Sequence, residues 1–260
     1  MGFFQTAEGT LTLSGKATLL KFAYAFELAD DESDPPRKLL RLLLTDQPVA
    51  MKAREGTRGR YPLQQDGKLV GVEFEFHKPD PAENFSGLVY PPRPGAVSSF
   101  TIEGKKYFTT LNIADGAIEG KVVFSEATAS AHYEATFRAR ISLLPPLKKI
   151  VTGEEAQGHP LVALLRRYFA ATHKADYPAM RELASKETLA SWDRQEEKLG
   201  ITAYLRDLKE FGKFVKFDPR TVTRIIVRAE RATVITTLAE GNSDLTELHR
   251  EGILWKVHIP

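Results

Sequence analysis

Six histidines, eight tyrosines and 34 acidic residues are the groups in this 260-residue sequence able to hold a metal or move a proton, and no cysteine accompanies them. The missing cysteines exclude disulfides, thiolate metal sites and a cysteine nucleophile, and leave the redox compartment open. His77, His132, His159, His173, His249 and His258 are scattered. They form no HExxH pattern, and His173 with Asp176 is the nearest approach to a His/acid pair at helical spacing. Structural or exposed histidines are therefore expected, with no metal and no cofactor. The sequence also lacks GxGxxG, GxxxxGK[ST] and GxSxG, so nucleotide phosphates and a hydrolase serine have no backbone cradle or turn. Asp176 stands two residues before Pro178, where the free N–H groups of a new helix need an acceptor, and reads as an N-cap rather than a base.

Apolar residues make up 42% of the chain and charged residues 27%, the balance of a folded globular protein. Lys and Arg number 36, and the net charge is +2 without a polybasic arm or acidic tail. Neither nucleic acid nor an anionic membrane surface is an expected partner. The apolar stretches 17–28 and 39–44 are interrupted by Lys21, Glu27 and Arg41 and fall short of the ~20 residues that cross a bilayer. Met1-Gly2 runs into Phe3-Phe4 with no basic segment before an apolar run, so no secretion signal is read here.

The elements that must position these groups change character along the chain. Period-two runs at 10–13, 18–28, 39–45, 69–77, 97–103, 106–113, 117–124 and 131–141 predict strands. In Val72-Glu73-Phe74-Glu75-Phe76 the alternation predicts one buried and one wet face. Ser14-Gly15, Asp66-Gly67, Glu103-Gly104 and Asp115-Gly116 are turn signals. Residues 1–144 therefore read as an all-β antiparallel sandwich or barrel. The segments 30–37 and 78–94 read as long surface loops, the second with a helical turn near 81–85. Pro145-Pro146, Gly153 and Gly158 mark 145–159 as a linker.

After Pro160 the period becomes helical, with Leu161, Leu164, Leu165, Tyr168, Phe169 and Thr172 on one stripe. Further helices are expected at 178–184, 188–199 and 203–211, then strands at 221–228, 232–239, 244–250 and 254–259. Residues 160–260 are thus an α+β unit with helices packed on a curved antiparallel sheet. In its last strand Trp255, Val257 and Ile259 face the core, and Lys256 and His258 face water.

This order, with Leu164-Leu165-Arg166-Arg167-Tyr168-Phe169-Ala170-Ala171, then Asp176-Tyr177-Pro178-Ala179-Met180, and a closing Ile253-Leu254-Trp255-Lys256-Val257 strand, resembles the nuclear-transport-factor-two-like, or SnoaL-like, cone-fold superfamily. The resemblance covers 160–260. It implies isomerases, cyclases, hydrolases or noncatalytic binding modules, the catalytic members placing acids, His or Tyr in an apolar cavity between sheet and helices. Gly9-Thr10-Leu11-Thr12 and Ala23-Tyr24-Ala25 loosely resemble the N-terminal β regions of uncharacterised exported bacterial proteins. With the missing cysteines, that points to a periplasmic or secreted location, the cytoplasm being the alternative.

On that resemblance the candidates are Tyr168, His173, Trp192, Asp193, Tyr204, Glu247 and His249, with Trp255 beside them. Tyr168, Trp192, Tyr204, Glu247 and Trp255 are the expected lining of a ligand pocket, and no residue is assigned a catalytic role. Tyr168 also belongs to the core stripe, and Glu247 and His249 read equally as a solvated pair on a strand. Phe85, Tyr90, Pro91-Pro92-Arg93-Pro94 and Tyr107-Phe108 offer a partner groove, or more simply tuck a loop onto its own sheet. The expected function is a noncatalytic binding or interaction protein, with a small apolar ligand or a protein partner and a homodimer through the C-terminal domain. The alternative is a small-molecule enzyme using acid/base groups in the same cavity.

Overall fold

The computed structural model describes residues 6–49, 68–76, 84–91, 98–103, 107–124, 131–214, 216–237 and 242–259. The chain divides into two compact units, Met1–Leu144 and Pro145–Pro260.

Among its described residues the first unit holds ten strands: β1 (Thr6–Leu13), β2 (Lys16–Leu20), β3 (Phe22–Asp30), β4 (Arg37–Thr45), β5 (Gly71–Phe76), β6 (Asn84–Tyr90), β7 (Ser98–Glu103), β8 (Phe108–Ala114), β9 (Ala117–Phe124) and β10 (Ala131–Ser142). Two antiparallel ladders, β2-β1-β10-β9-β8 and β3-β4-β5-β6-β7, are joined where Ile141 and Ser142 run parallel to Ala25 and Phe26. The sheet is therefore mixed, not wholly antiparallel, and forms no closed barrel among the described residues. The cause is the length of β10: it outruns β1, whose described pairing ends at Thr6 opposite Arg138, and because Ile141 N–H still donates to the Gly116 carbonyl on the β9 side, the edge that meets β3 is the one β1 leaves.

Turn chemistry sets the hairpins. Ser14 (φ 48°) with Gly15 (φ 79°) joins β1 to β2, and Asp115 (φ 52°) with Gly116 (φ 71°) joins β8 to β9. Two positive φ values in a two-residue loop match the right-handed strand twist. Asp66-Gly67 and Glu103-Gly104 lie outside the described residues, at least in part. The expected single strand 18–28 breaks at Lys21, whose carbonyl accepts from Ala7 N–H while its N–H donates to Thr45, so the chain changes partners there.

Segment 78–94, expected as a loop, contains β6, which pairs with both β5 and β7. The surrounding prolines masked an ordinary apolar run, Phe85 to Tyr90. Phe85, Tyr90, Tyr107 and Phe108 are buried. Phe108 meets Phe74, Phe76 and Phe85 at ring-centroid distances of 5.1, 5.6 and 5.0 Å, so one core is shared by both ladders. Tyr24, Phe26, Leu43, Val49, Leu69 and Tyr90 form a second cluster on the reverse face of β3–β6. That second layer overturns the wet face expected for β5: Glu73 is buried, paired to Arg41 Nε at 3.0 Å and accepting from Tyr90 Oη at 2.9 Å.

The second unit begins inside the expected linker. Lys149–Thr152 is strand β11 on the edge of a five-stranded sheet, and Gly153–Gln157 is helix α1. The prolines precede the strand instead of interrupting it, and Val151 and Ala156 enter the core. Then come α2 (Pro160–Lys174), α3 (Tyr177–Leu183), α4 (Lys186–Leu199), α5 (Ile201–Gly212), and strands β12 (Val222–Val227), β13 (Arg231–Thr237), β14 (Ser243–Glu251) and β15 (Leu254–His258). The sheet is antiparallel throughout in the order β11-β12-β13-β14-β15. Pro160 occupies the first turn of α2, Asp176 caps α3 by accepting from Ala179 N–H at 3.2 Å, and Gly200 ends α4. Leu161, Leu165 and Tyr168 of α2 pack with Ile225, Val234, Leu248 and Val257 of the sheet.

Candidate functional site

Among the described residues of the second unit, a group of ionisable side chains able to hold a metal gathers at the β14–β15 hairpin. Its turn uses Gly252 at φ 64°, and its register places Glu247 opposite His258 and His249 opposite Lys256. Leu248 and Val257, directly paired, are fully buried on the core side. Strand alternation therefore puts Glu247, His249, Lys256 and His258 together on the other face.

The N-terminus of α4 is brought to this face through the sheet edge. Ala184 forms a parallel bridge to Val257, and Ser185 N–H donates to the Val257 carbonyl at 2.8 Å. Ile259 N–H donates to Thr188 Oγ1 at 2.8 Å, and Lys186 N–H to Glu251 Oε1 at 2.7 Å. Ser185 caps the helix, accepting from Thr188 N–H at 3.2 Å. The first turn of α4 then carries Glu187 to the histidines.

The two imidazoles stack with centroids 3.9 Å apart and 8° between planes. Glu187 Oε2 is 3.0 Å from His249 Nδ1 and 3.7 Å from His258 Nδ1. Ser185 Oγ is 3.1 Å from His258 Nδ1. Glu247 Oε2 approaches His249 Nε2 at 3.8 Å, an electrostatic approach too long for a hydrogen bond, and that buried nitrogen has no hydrogen-bond partner among the described residues. Desolvation, followed by the charge of His249, lowers His258 to about 4 against the opposing pull of Glu247 and Glu187. His258 is thus neutral at pH 7. The neighbouring His249 is the main influence holding Glu247 below the usual carboxylate range; desolvation opposes it, and His258 and Arg231 add to the lowering. One donor atom each from Glu187, His249 and His258 lies within 4.8 Å of the others, so these three residues are able to converge on a cation.

The expected pocket residues separate into two places. Tyr168, Trp192 and Tyr204 are buried in the core, and Trp255 packs half-buried against it. Glu247 is on the opposite sheet face. Tyr177, not singled out in the sequence, joins Trp192 at 5.9 Å and Tyr204 at 5.6 Å. Its hydroxyl accepts from Arg181, which also pairs with Asp193 at 2.8 Å and Glu196 at 3.2 Å. Burial pushes the Tyr168 and Tyr204 phenols up to about 12. His173 Nδ1 lies 3.1 Å from the Gly212 carbonyl, so it joins α2 to α5.

The histidine cluster was missed because His249 and His258 are neighbours only through a hairpin register. The readable signal was Gly252 between two alternating runs, which fixes both rings on one face. Glu187 had no such signal. Comparisons with family models, curated proteins and solved structures find no match for this chain.

Around α5 the apolar surface exceeds what the core covers. Tyr204 is buried and Leu208 partly so, while Ile201, Leu205 and Phe211 are exposed, as are Leu199 and Phe214 beyond the helix ends. Phe214 is 81% exposed, far more than a ring packed within its own unit would be.

Proposed function

We propose that this chain is a noncatalytic interaction protein whose C-terminal unit, a cone-type α+β module as the sequence resemblance implies, associates with a second copy of itself through α5. The observation that carries the reading is the exposed apolar set Leu199, Ile201, Leu205, Phe211 and Phe214. Helical spacing puts Ile201 and Leu205 on one margin of an apolar arc centred on Leu208, and Phe211 on the other. The remaining surface of α5 carries both signs of charge, Arg206 and Lys209 beside Asp207 and Glu210. We read this outward surface, mixed charges flanked by apolar side chains, as one that two copies bury against each other about a two-fold axis, the isologous arrangement. Burial of each large side chain contributes about 1.5–3 kcal/mol before association costs.

A small apolar ligand ranks second. Its expected lining, Tyr168, Trp192 and Tyr204, is already packed into the core around Tyr177. Acid/base catalysis is disfavoured by the separation of Glu247 from the buried tyrosines across the sheet. The N-terminal unit reads as sandwich-like, with a partner-binding role, and a periplasmic or secreted location, with the cytoplasm as the alternative, rests on the missing cysteines and the loose resemblance of the N-terminal half. Cross-linking between cysteines introduced at Leu205 tests the reading: a disulfide-linked dimer should form rapidly, and a chain that remains uncross-linked while folded would contradict it.

A further inference from the structure

We propose that Glu187, His249 and His258 form a binding site for a divalent transition-metal ion of the zinc class. Two imidazoles and one carboxylate are a donor set suited to zinc, cobalt or nickel and poorly suited to calcium or magnesium, which take oxygen ligands. The spacing agrees. A tetrahedral ion with bonds of about 2.0–2.1 Å sets its ligand atoms about 3.3 Å apart, and Glu187 Oε2 lies 3.0 and 3.7 Å from the Nδ1 atoms of His249 and His258. A fourth position is left for water.

The donors come from two sources that the fold holds rigidly together. The histidines share a hairpin, and α4 is fixed to β15 through Ala184, Ser185 and Thr188. Glu247 and Arg231 act on the same groups with opposite sign, Glu247 strengthening the pull on a cation and Arg231 opposing it, while Glu251 lies at the N-terminus of α4 and Lys256 on the same strand face.

Two rearrangements are required. An imidazole binds an ion through a lone pair in its ring plane, and rings only 8° from parallel do not aim two lone pairs at one point. His249 is the ring able to turn, because its buried Nε2 has no hydrogen-bond partner among the described residues, and at His258 Nδ1 the ion takes the place of the Ser185 hydroxyl, whose 3.1 Å contact is given up. Metal binding therefore opens the stack.

The test uses the full chain stripped with chelator and titrated with Co²⁺, followed by displacement with Zn²⁺. One equivalent should bind with the intense visible absorption of a four-coordinate cobalt ion. Glu187→Gln, His249→Gln and His258→Gln should each weaken binding by a hundredfold or more, since even residues behind the ligands cost about 10–100-fold. His159→Asn and His173→Asn should leave it unchanged. Histidine NMR of the wild-type chain gives a reading that no variant's folding can confuse: Zn²⁺ should shift two of the six imidazoles, those missing from the His249→Gln and His258→Gln spectra. Absence of saturable binding, a shift at other histidines, or full affinity in Glu187→Gln would overturn the site.

Discussion

His249 and His258 stack at 3.9 Å, and Ser185 binds the second of these rings while capping α4. One hydroxyl thus ties the last strand to the helix that covers its edge. Ser185→Ala removes the acceptor for Thr188 N–H and a partner of His258 Nδ1, and should destabilise the C-terminal unit by about 1–3 kcal/mol. Both tryptophans, Trp192 and Trp255, belong to this unit, so emission during denaturant unfolding reports it separately. A loss under about 0.5 kcal/mol would show that the hydroxyl is not the cap.

The same two tryptophans test the sheet faces. Trp192 is buried and Trp255 only half-buried, although both contact one core. Trp192→Ala should cost about 3–5 kcal/mol, and Trp255→Ala less, about 1–3 kcal/mol. The remaining tryptophan reports each melt. An equal or reversed order would mean that the edge position of β15 has been misjudged.

Much of this architecture was legible in particular residues. Trp255, Val257 and Ile259 alternate with polar neighbours, and the structure puts Val257 in the core with the other two packed against it. Asp176, Gly200 and Asp115-Gly116 act as the caps and turn their chemistry predicts. Local signals failed where long-range contacts decided. Glu73 looked solvent-facing because no strand pattern reveals a second core behind the sheet, and β11 looked like linker because its partner β12 is distant in sequence. His258 looked wet because a helix terminus covering a sheet edge leaves no periodic trace.

Gly212 supplies a prediction whose sign decides. Replacing a helical glycine with alanine ordinarily stabilises by up to ~1 kcal/mol. A Cβ at Gly212, however, would sit 2.4 Å from the Thr172 carbonyl oxygen, where α5 lies against α2. Gly212→Ala should therefore lower the unfolding midpoint seen by tryptophan emission. A raised midpoint would show that the helices separate without penalty.

In the N-terminal unit the Arg41–Glu73 pair is nearly inaccessible, and Glu75 shares the guanidinium. Arg41→Met removes a cation from the buried Glu73 carboxylate and should cost about 3–5 kcal/mol. Adding Glu73→Gln should recover most of that loss, because the neutral amide still accepts from Tyr90. Far-UV circular dichroism of the β signal measures both. Additive losses in the double variant would mean that the charge pair is not the coupled element.

Sedimentation equilibrium of the full chain, with and without Leu205→Asp and Phe211→Asp, tests the proposed self-association most directly. The wild type should sediment as a concentration-dependent dimer in the micromolar range. The doubly substituted chain, with unchanged circular dichroism, should be monomeric. A wild type that stays monomeric throughout, or a doubly substituted chain that still dimerises, would contradict assembly through α5.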